Sequence, residues 1–289
     1  TLREYATGLR ERGQPFHLSL HFFGPHLPYV IPQEYAEMYD PALVERSPAM
    51  EETFLGKPRV QAAYSRHWAF DTYPWEEWQR ITAMYWGYVT LIDEQIGRVL
   101  AALEDLGLAE DTAVLFGTDH AGFVGNHRLS DKGPMMYDDI YHIPCLARLQ
   151  GGSQGTVCDA FVTLLDLAPT YLEMGGAAIP EHMDGRSLLP LLRGERPADW
   201  PEEVFMQFHG HHFPYPQRGI RTQTHKLVVN PADTDELYDL EADPYELHNR
   251  AGDPAYADVQ RTLARRLFRH LAEQGDNFRH WMTSFHDLD

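Results

Sequence analysis

The sequence contains little cysteine and few basic residues. Only two of its 289 residues are cysteine, Cys145 and Cys158, so a disulfide framework is excluded and a thiolate metal cluster nearly so. Lysine and arginine number 24 against 43 aspartate and glutamate residues, which gives a net charge of −19. A surface of that sign repels the phosphates of nucleic acids and of anionic membranes. We therefore expect no nucleic-acid or membrane partner, and an anionic substrate would need local cations to hold it.

Long apolar runs and an initiating methionine are also lacking. No apolar stretch approaches the ~20 residues of a transmembrane helix. The chain begins with Thr1 and shows no signal-peptide pattern, so we expect it to start partway through a longer protein, and the sequence leaves its compartment open. Hydrophobic residues make up 43% of the chain, which is enough to form a large core.

The order of the predicted elements indicates an α/β core. Residues 15–23, 111–119 and 142–149 are typical of buried strands, and residues 76–106 carry apolar side chains at helical spacing. A strand, a long helix and another strand predict a crossover unit. We therefore expect a mainly parallel sheet flanked by helices.

A smaller α+β part is predicted to follow this core. The amino-acid composition changes at 193–201 to that of a polar, proline-containing linker, and short runs typical of β-strands come after it. Closely spaced strands separated by turns predict a short antiparallel sheet, and residues 255–274 predict a final amphipathic helix. We place the core at 1–195 and the C-terminal subdomain at 196–289.

The stretch FGTDHAGFVGNHRLSDKG, residues 116–133, concentrates polar side chains behind a predicted strand. Asp119 offers the carboxylate oxygens that calcium, magnesium and manganese prefer, and His120 beside it can ligate a metal or hydrogen-bond a nucleophile or leaving group. Lys132 adds a positive charge that fits an anion such as sulfate or phosphate. A helix cap or a polar turn is the structural alternative for the Asp-His pair.

The frame of this stretch resembles the C-terminal part of a sulfatase, in the alkaline phosphatase superfamily. That family has Ser/Thr-Asp-His-Gly, then Gly-x-His, then a lysine thirteen residues after the aspartate. The matching residues here are Thr118, Asp119, His120, Gly125, His127 and Lys132, with Ala121 in place of the usual glycine.

Other segments agree with the same family. Its Pro-His-x-Pro loop is matched at 25–28, and its helix before the Asp-His strand resembles residues 85–108. The C-terminal subdomain of the family is matched at 183–192, 219–230 and 236–254. The resemblance therefore covers essentially the whole chain.

The resemblance implies a sulfuric ester hydrolase that uses a divalent metal, calcium in most members with magnesium or manganese as alternatives. Asp119 and His120 are then metal ligands, and His120 is also placed to contact the nucleophile. Lys132 is implied to bind the sulfate and stabilise charge on the departing oxygen. His26 is implied to contact the substrate and hydrogen-bond the leaving oxygen. His127 either contacts the substrate or shapes the loop through a hydrogen bond.

Family features that lie near the N-terminus of a sulfatase are absent from this sequence. They are two adjacent aspartates, the nucleophile segment and a lysine-bearing loop. We therefore expect the formylglycine nucleophile and further metal carboxylates to lie outside this chain, in an N-terminal segment that completes the site. The expected substrate is a small-molecule or saccharide sulfate ester. The alternatives are a phosphonate monoester or phosphodiester hydrolase on the same scaffold and a non-catalytic binding protein or inactive fragment.

Cys145, in the segment IPCLAR, superficially resembles the formylglycine signature Cys-x-Pro/Ala-x-Arg. Its arginine, however, is three residues on instead of four. We therefore predict that Cys145 is a small apolar residue buried in a strand.

The segment FHGHHF, residues 208–213, holds three histidines. His209, His211 and His212 could form a zinc site, but no cysteine or carboxylate stands at ligand spacing. We favour a loop that borders the pocket, where these histidines can touch the substrate. The aromatic residues within 68–78 are interpreted as packing, with a sugar platform as the alternative.

Overall fold

The computed structural model describes residues 2–231 and 233–278. Helices α1 to α8 span Leu2–Glu11, Gln33–Ala36, Arg59–His67, Trp75–Asp105, Asp138–Tyr141, Leu167–Met174, Leu189–Leu192 and Ala257–Glu273. Strands β1 to β8 span Val114–Gly117, Phe123–Val124, Ser130–Asp131, Cys145–Arg148, Glu203–His211, Phe213–Thr222, His225–Val229 and Glu236–Asp239. Short 3₁₀ helices lie at Pro41–Leu43, Pro48–Glu51, Phe70–Thr72, Asn126–Arg128, Leu164–Asp166 and Pro254–Tyr256.

The described residues form two compact units. The first consists of the described parts of Thr1–Arg46, Tyr73–Gly117 and Pro144–Gly152. The second consists of the described parts of Ser47–Thr72, Thr118–Ile143 and Ser153–Asp289. The boundary predicted between 1–195 and 196–289 stays a prediction, and residues 279–289 of that subdomain lie outside the described residues.

The first unit is organised around α4, the long helix predicted at 76–106. Glu76 and Glu77 lie in its first turn, where carboxylates interact favourably with the helix dipole. Gly107, with a φ of +63°, ends it. Gly87 lets α2 approach closely, because a Cβ there would lie 1.9 Å from the Tyr35 carbonyl oxygen. The structure therefore confirms the helix that the periodicity predicts.

Strand pairing in the first unit differs from the prediction. The strands expected at 111–119 and 142–149 are confirmed as the shorter strands β1 and β4, which pair antiparallel. Residues 15–23 are extended but form no strand, and every pairing among the described residues is antiparallel. A strand exists only through ladder hydrogen bonds to a neighbouring strand, and among the described residues the sheets contain no strand from 15–23. The parallel crossover is therefore not seen there.

The prediction that Cys145 is buried is wrong. Cys145 is exposed, as are all four residues of β4. Burial of a strand requires an apolar layer against its face. Within the described residues, β4 pairs with β1 alone.

The second unit contains the predicted antiparallel sheet, in the order β5-β6-β7-β8. The amphipathic face of α8 packs on it, and the core that results is fully buried. Its members are Ile220, Leu227, Val229, Leu237, Leu263, Ala264, Leu267, Phe268 and Leu271. Each large aliphatic side chain buried in this way contributes about 1.5–3 kcal/mol, so this core fixes the sheet from which the β5–β6 hairpin extends. Among the helices described, none has the length and apolar character to span a membrane.

Candidate active site

The residues after β1 form a tightly bent loop, 118–133, in the second unit. The short strands β2 and β3 pair within it, Phe123 opposite Asp131. His127, Arg128 and Asp131 adopt left-handed backbone conformations, with φ of +52°, +54° and +63°. Such conformations cost about 1–3 kcal/mol for a residue with a side chain and occur mainly at functional sites. The surrounding packing must therefore hold this loop in one shape.

Asp119 and His120 lie together near the start of the loop. The Asp119 side chain is 82% exposed, and one of its oxygens accepts the His120 backbone N–H at 3.0 Å. His120 Nδ1 lies 2.8 Å from the Ala121 carbonyl oxygen. A carbonyl only accepts, so Nδ1 carries the proton and Nε2 holds the lone pair of the neutral ring. Nε2 lies 3.8 Å from Asp119 Oδ2, so one cation can contact both atoms.

The donor set fits part of a metal shell. A carboxylate and an imidazole nitrogen are both ligands of divalent metals, and the pair described above is open to solvent on the carboxylate side. Within residues 2–231 and 233–278, no group of three or more histidine, cysteine, aspartate or glutamate side chains could hold a metal alone. Asp119 and His120 thus suit a metal that takes further ligands from elsewhere.

Lys132 lies at the other end of the loop. Its Nζ is 3.2 Å from Asp131 Oδ1, and its backbone oxygen accepts the Tyr64 hydroxyl at 2.7 Å. Tyr64 is buried in α3, so the loop is anchored to a helix at this point. Burial, together with the charge of Asp131, raises the pKa of Tyr64 to about 12. The hydroxyl therefore stays a donor across the ordinary pH range.

Lys132 is distinguished from the other two lysines of the chain. Lys57 is entirely buried in an ion pair with Glu52. Lys226 is entirely buried in ion pairs with Asp138 and Glu246. The Lys132 side chain remains 21% exposed. Of the three ammonium groups, Lys132 is therefore the one that can meet a ligand from solvent.

His127 is completely buried beneath the loop. Its Nδ1 lies 2.8 Å from Glu52 Oε2, and its Nε2 lies 3.4 Å from Asp139 Oδ2, a long contact best described as an ion pair. The ring stacks on Tyr137, with centroids 3.9 Å apart and planes within 2°. A side chain without solvent exposure and between two carboxylates favours the loop-shaping role over substrate contact.

The pKa values around His127 follow from these contacts. Burial lowers the pKa of His127, but its interactions with the Asp139 and Glu52 carboxylates outweigh burial and raise it. Burial raises the pKa of Glu52, but its bonds to His127 and Lys57 outweigh it and lower that pKa. The imidazolium and the carboxylate thus stabilise each other's charged forms.

The residues that support the loop carry no local sequence motif. Glu52 accepts from Lys57, which also donates to the Tyr137 hydroxyl at 3.0 Å and the Glu246 backbone oxygen at 2.6 Å. Asp139 accepts from the Asn126 side chain. These residues are far apart in the sequence, so no local spacing marks them as one cluster.

A second buried cluster adjoins the first through Glu246. Lys226 Nζ lies 2.6 Å from Asp138 Oδ1 and 2.7 Å from Glu246 Oε1, and Arg221 lies 2.9 Å from Asp138 Oδ2. Burial raises the pKa of Asp138, but Lys226 and Arg221 outweigh it and hold that pKa at about 2. This cluster connects α5 to the sheet and carries no motif in the sequence.

His26, the remaining predicted site residue, lies in the first unit. Its Nδ1 is 2.6 Å from the Leu27 carbonyl oxygen, so Nδ1 is the donor and Nε2 holds the lone pair of the neutral ring. The ring lies 5.4 Å from that of Phe23. Gly24 permits the close approach of this segment to α4, because a Cβ there would lie 2.4 Å from the Tyr88 ring. The ring is half-buried, and its chemistry suits proton transfer.

Family models match both parts of the chain. Residues 1–177 match the family described as sulfatase, and residues 125–273 match the family described as N-sulphoglucosamine sulphohydrolase, C-terminal. Each match covers more than half of the chain and agrees with the α/β fold and the acid-histidine-lysine loop. These features place the chain in the alkaline phosphatase superfamily. Within that superfamily, the chain belongs to the sulfatase family.

Individual relatives agree with this assignment. The chain is 30% identical over 303 residues to the multifunctional alkaline phosphatase superfamily protein PehA of Trinickia caryophylli, covering 94% of the chain and 59% of that protein. It is 33% identical over 213 residues to the N-acetylglucosamine-6-O-sulfatase of Bacteroides thetaiotaomicron, covering 70% of the chain and 37% of that protein. The chain therefore spans little more than half the length of these relatives, or less.

A solved structure shares the fold. The chain resembles the phosphonate monoester hydrolase from Silicibacter pomeroyi with a TM-score of 0.76 and 31% identity, covering 88% of the chain and 55% of that structure. The likeness confirms the predicted α/β class with its C-terminal antiparallel sheet.

Proposed function

We propose that the intact protein containing this chain hydrolyses sulfate esters, with saccharide sulfates as the substrate class. The observation that carries the proposal is the loop 118–133, which holds Asp119, His120 and Lys132 on one buried support. Membership of the sulfatase family supports the reaction type, and the similarity to an N-acetylglucosamine-6-O-sulfatase supports a saccharide substrate.

The roles of the loop residues follow from their positions. Asp119 and the Nε2 lone pair of His120 would hold a divalent metal, with calcium proposed and magnesium or manganese as alternatives. When bound, such a metal polarises sulfate oxygens and neutralises charge. Lys132 would bind a sulfate oxygen and stabilise the negative charge that develops as the ester breaks. The formylglycine nucleophile and further ligands would come from outside this chain.

His26 would act on the leaving group. Sulfate ester cleavage places negative charge on the bridging oxygen as its bond to sulfur breaks. An imidazolium that donates its Nε2 proton to this oxygen converts a poor alkoxide leaving group into an alcohol. His127 would act indirectly, by holding the loop that carries Lys132, because its ring has no solvent exposure.

The phosphonate monoester hydrolases are the second candidate class. The structural likeness to one of them at 31% identity favours this alternative, and the loop groups described above would serve a phosphoryl centre equally well. A non-catalytic binding protein is the alternative of another class. It predicts neither metal at Asp119 nor turnover of either ester.

The decisive test compares rates of the intact protein on an aryl sulfate and on an aryl phosphonate monoester. We expect a higher kcat/KM for the sulfate, and Lys132→Ala should lower it. A higher kcat/KM for the phosphonate would favour the second class. Metal-loaded intact protein that turns over neither ester would overturn the proposal in favour of a binding role.

A further inference from the structure

Aromatic side chains beside the loop 118–133 have no part in the proposed chemistry. Trp68 directly follows α3 and is 43% exposed. Its ring lies 5.6 Å from the ring of His212 and 5.1 Å from that of His67, at nearly a right angle. His212 in turn lies 4.0 Å from His211. These four rings, His67, Trp68, His211 and His212, are called the aromatic wall below.

The backbone holds two members of the aromatic wall, His211 and His212, in a strained hairpin. His212 connects β5 to β6 with a φ of +67°, and the register of the two strands shifts between Phe208 and Gly210. Gly210 has a φ of +142°, and a Cβ there would lie 2.3 Å from the Phe213 carbonyl oxygen. Bulges of this kind re-aim side chains next to functional sites. The hairpin tip thus presents its imidazoles in a fixed arrangement.

Tyr64 links the aromatic wall to Lys132. The Tyr64 hydroxyl binds the Lys132 backbone oxygen, and the Tyr64 ring lies 6.4 Å from that of Trp68, edge to face. A single aromatic ring therefore connects Trp68 to the backbone of Lys132, the residue proposed to bind the anion.

His211 joins the aromatic wall through His212, whose ring lies 4.0 Å away. Burial lowers the pKa of His211, followed by the charges of His212 and Lys132, with a smaller effect of His120. The lowered pKa favours the uncharged form of the His211 ring. A neutral imidazole both donates and accepts hydrogen bonds, which suits a hydroxyl group and not a second anion.

The chemistry of these side chains indicates what they bind. The face of an exposed tryptophan binds flat apolar surfaces such as the C–H face of a sugar ring, and half-exposed imidazoles match its hydroxyl groups. We propose that Trp68, His211 and His212 form the subsite for an uncharged, hydroxyl-bearing sugar ring whose sulfate group lies at Lys132. This inference rests on the proposed function, because it assigns the alcohol half of the same ester.

The test separates binding of the ring from binding of the sulfate. In the intact protein, kcat/KM is measured for N-acetylglucosamine 6-sulfate, and inorganic sulfate is measured as a competitive inhibitor. Trp68→Ala should lower kcat/KM about tenfold, the loss of one stacking contact, without changing inhibition by sulfate. Trp68→Phe should recover most of the loss, because it restores an aromatic face. His211→Ala should lower kcat/KM for the sugar ester without changing inhibition by sulfate.

Matched controls come from exposed residues elsewhere. Trp86→Ala removes an exposed tryptophan of α4, and His248→Ala removes an exposed histidine of the second unit. Both should leave kcat/KM unchanged. Melting temperatures of all variants identify any loss that comes from unfolding.

The outcomes distinguish the subsite from the proposed function. Unchanged kcat/KM in both Trp68→Ala and His211→Ala overturns the subsite. An equal loss of sugar-ester turnover and sulfate inhibition in these variants also overturns it. So does a preference of the wild type for esters with a second anionic group, or zinc bound at His211 and His212. If the wild-type protein hydrolyses no sulfate ester, the proposed function fails, and saturation-transfer NMR with unsulfated N-acetylglucosamine still tests the subsite. A signal that disappears in Trp68→Ala supports it, and no signal in the wild type overturns it.

Discussion

His127 Nδ1 lies 2.8 Å from Glu52 Oε2, and both side chains are entirely buried although 75 positions separate them in the chain. This pair connects the 3₁₀ helix that ends at Glu51 to the centre of the loop 118–133. Lys57 completes the arrangement by pairing with the same carboxylate. The shape of the loop that carries Asp119 and Lys132 therefore depends on charges buried below it.

Removal of the Glu52 carboxylate should strongly destabilise the intact protein. Glu52→Ala leaves Lys57 and His127 buried without their shared anion, and breaking a buried ion pair in this way costs about 3–5 kcal/mol. Urea denaturation measures the free energy of unfolding. Glu51→Ala, at the exposed neighbouring position, should change it by less than about 0.5 kcal/mol. Similar losses in the two variants would contradict the role given to the buried pair.

Stability should also depend on pH through His127. The pKa of His127 in the folded protein lies above its usual 6.5. Its contribution to stability is therefore fully present below that value and is lost as the pH rises through the folded pKa. Glu52 and Asp139 have lowered pKa values in the folded protein. Their contributions to stability are therefore present when the pH is above the usual carboxyl pKa values, and they are lost as the pH falls through the lowered pKa values. The ammonium group of Lys57 has the opposite effect on His127 and lowers its pKa.

The measurement is the difference in free energy of unfolding between the wild type and His127→Asn, from about pH 5 to about pH 9. The difference should be largest at the acidic end of this range and shrink towards the basic end. His248→Asn, at an exposed histidine, serves as the control. A difference that stays constant over the whole range would rule out the charged, doubly paired state of His127.

Local patterns in the sequence predicted those parts of the molecule that depend on local physics. Apolar residues at helical spacing predicted α4 and α8, because each helix buries one face. The Asp-His-lysine frame predicted which loop carries Asp119, His120 and Lys132. Residues 15–23 have the composition of a buried strand, but a strand also needs a pairing partner, and composition carries no information about one.

The support of the loop could not be predicted, because it is assembled from distant segments. Glu52, Lys57 and Asp139 stand in stretches without any motif, and only the folded chain brings them to His127. The pocket-bordering role of residues 208–213 stays a prediction, and the segment forms the tip of the β5–β6 hairpin where a loop was expected. The sequence did not reveal that Trp68 would join it, because 143 positions separate His211 from Trp68.

Loss of the Lys132 ammonium group should lower turnover without unfolding the protein. Lys132→Ala keeps the backbone oxygen that Tyr64 binds, so the loop retains its anchor. Removal of one group that stabilises charge in a transition state costs about a hundredfold or more in kcat. The assay is hydrolysis of an aryl sulfate by the intact protein, with Arg261→Ala, an exposed cation on α8, as the control. Unchanged kinetics with Lys132→Ala would remove this residue from the site.

Asp119→Asn should weaken binding of the divalent metal. The carboxylate becomes a neutral amide, which is a poorer ligand for a hard cation, and loss of a ligand charge should raise the Kd for calcium at least tenfold, about 1.4 kcal/mol. Metal content of the intact protein after chelation and reloading gives the readout without reference to activity. Asp111→Asn, an exposed aspartate just before β1, should retain the metal. Metal that persists in Asp119→Asn but is lost when His209, His211 and His212 are replaced by alanine would assign the metal to the hairpin instead of the loop.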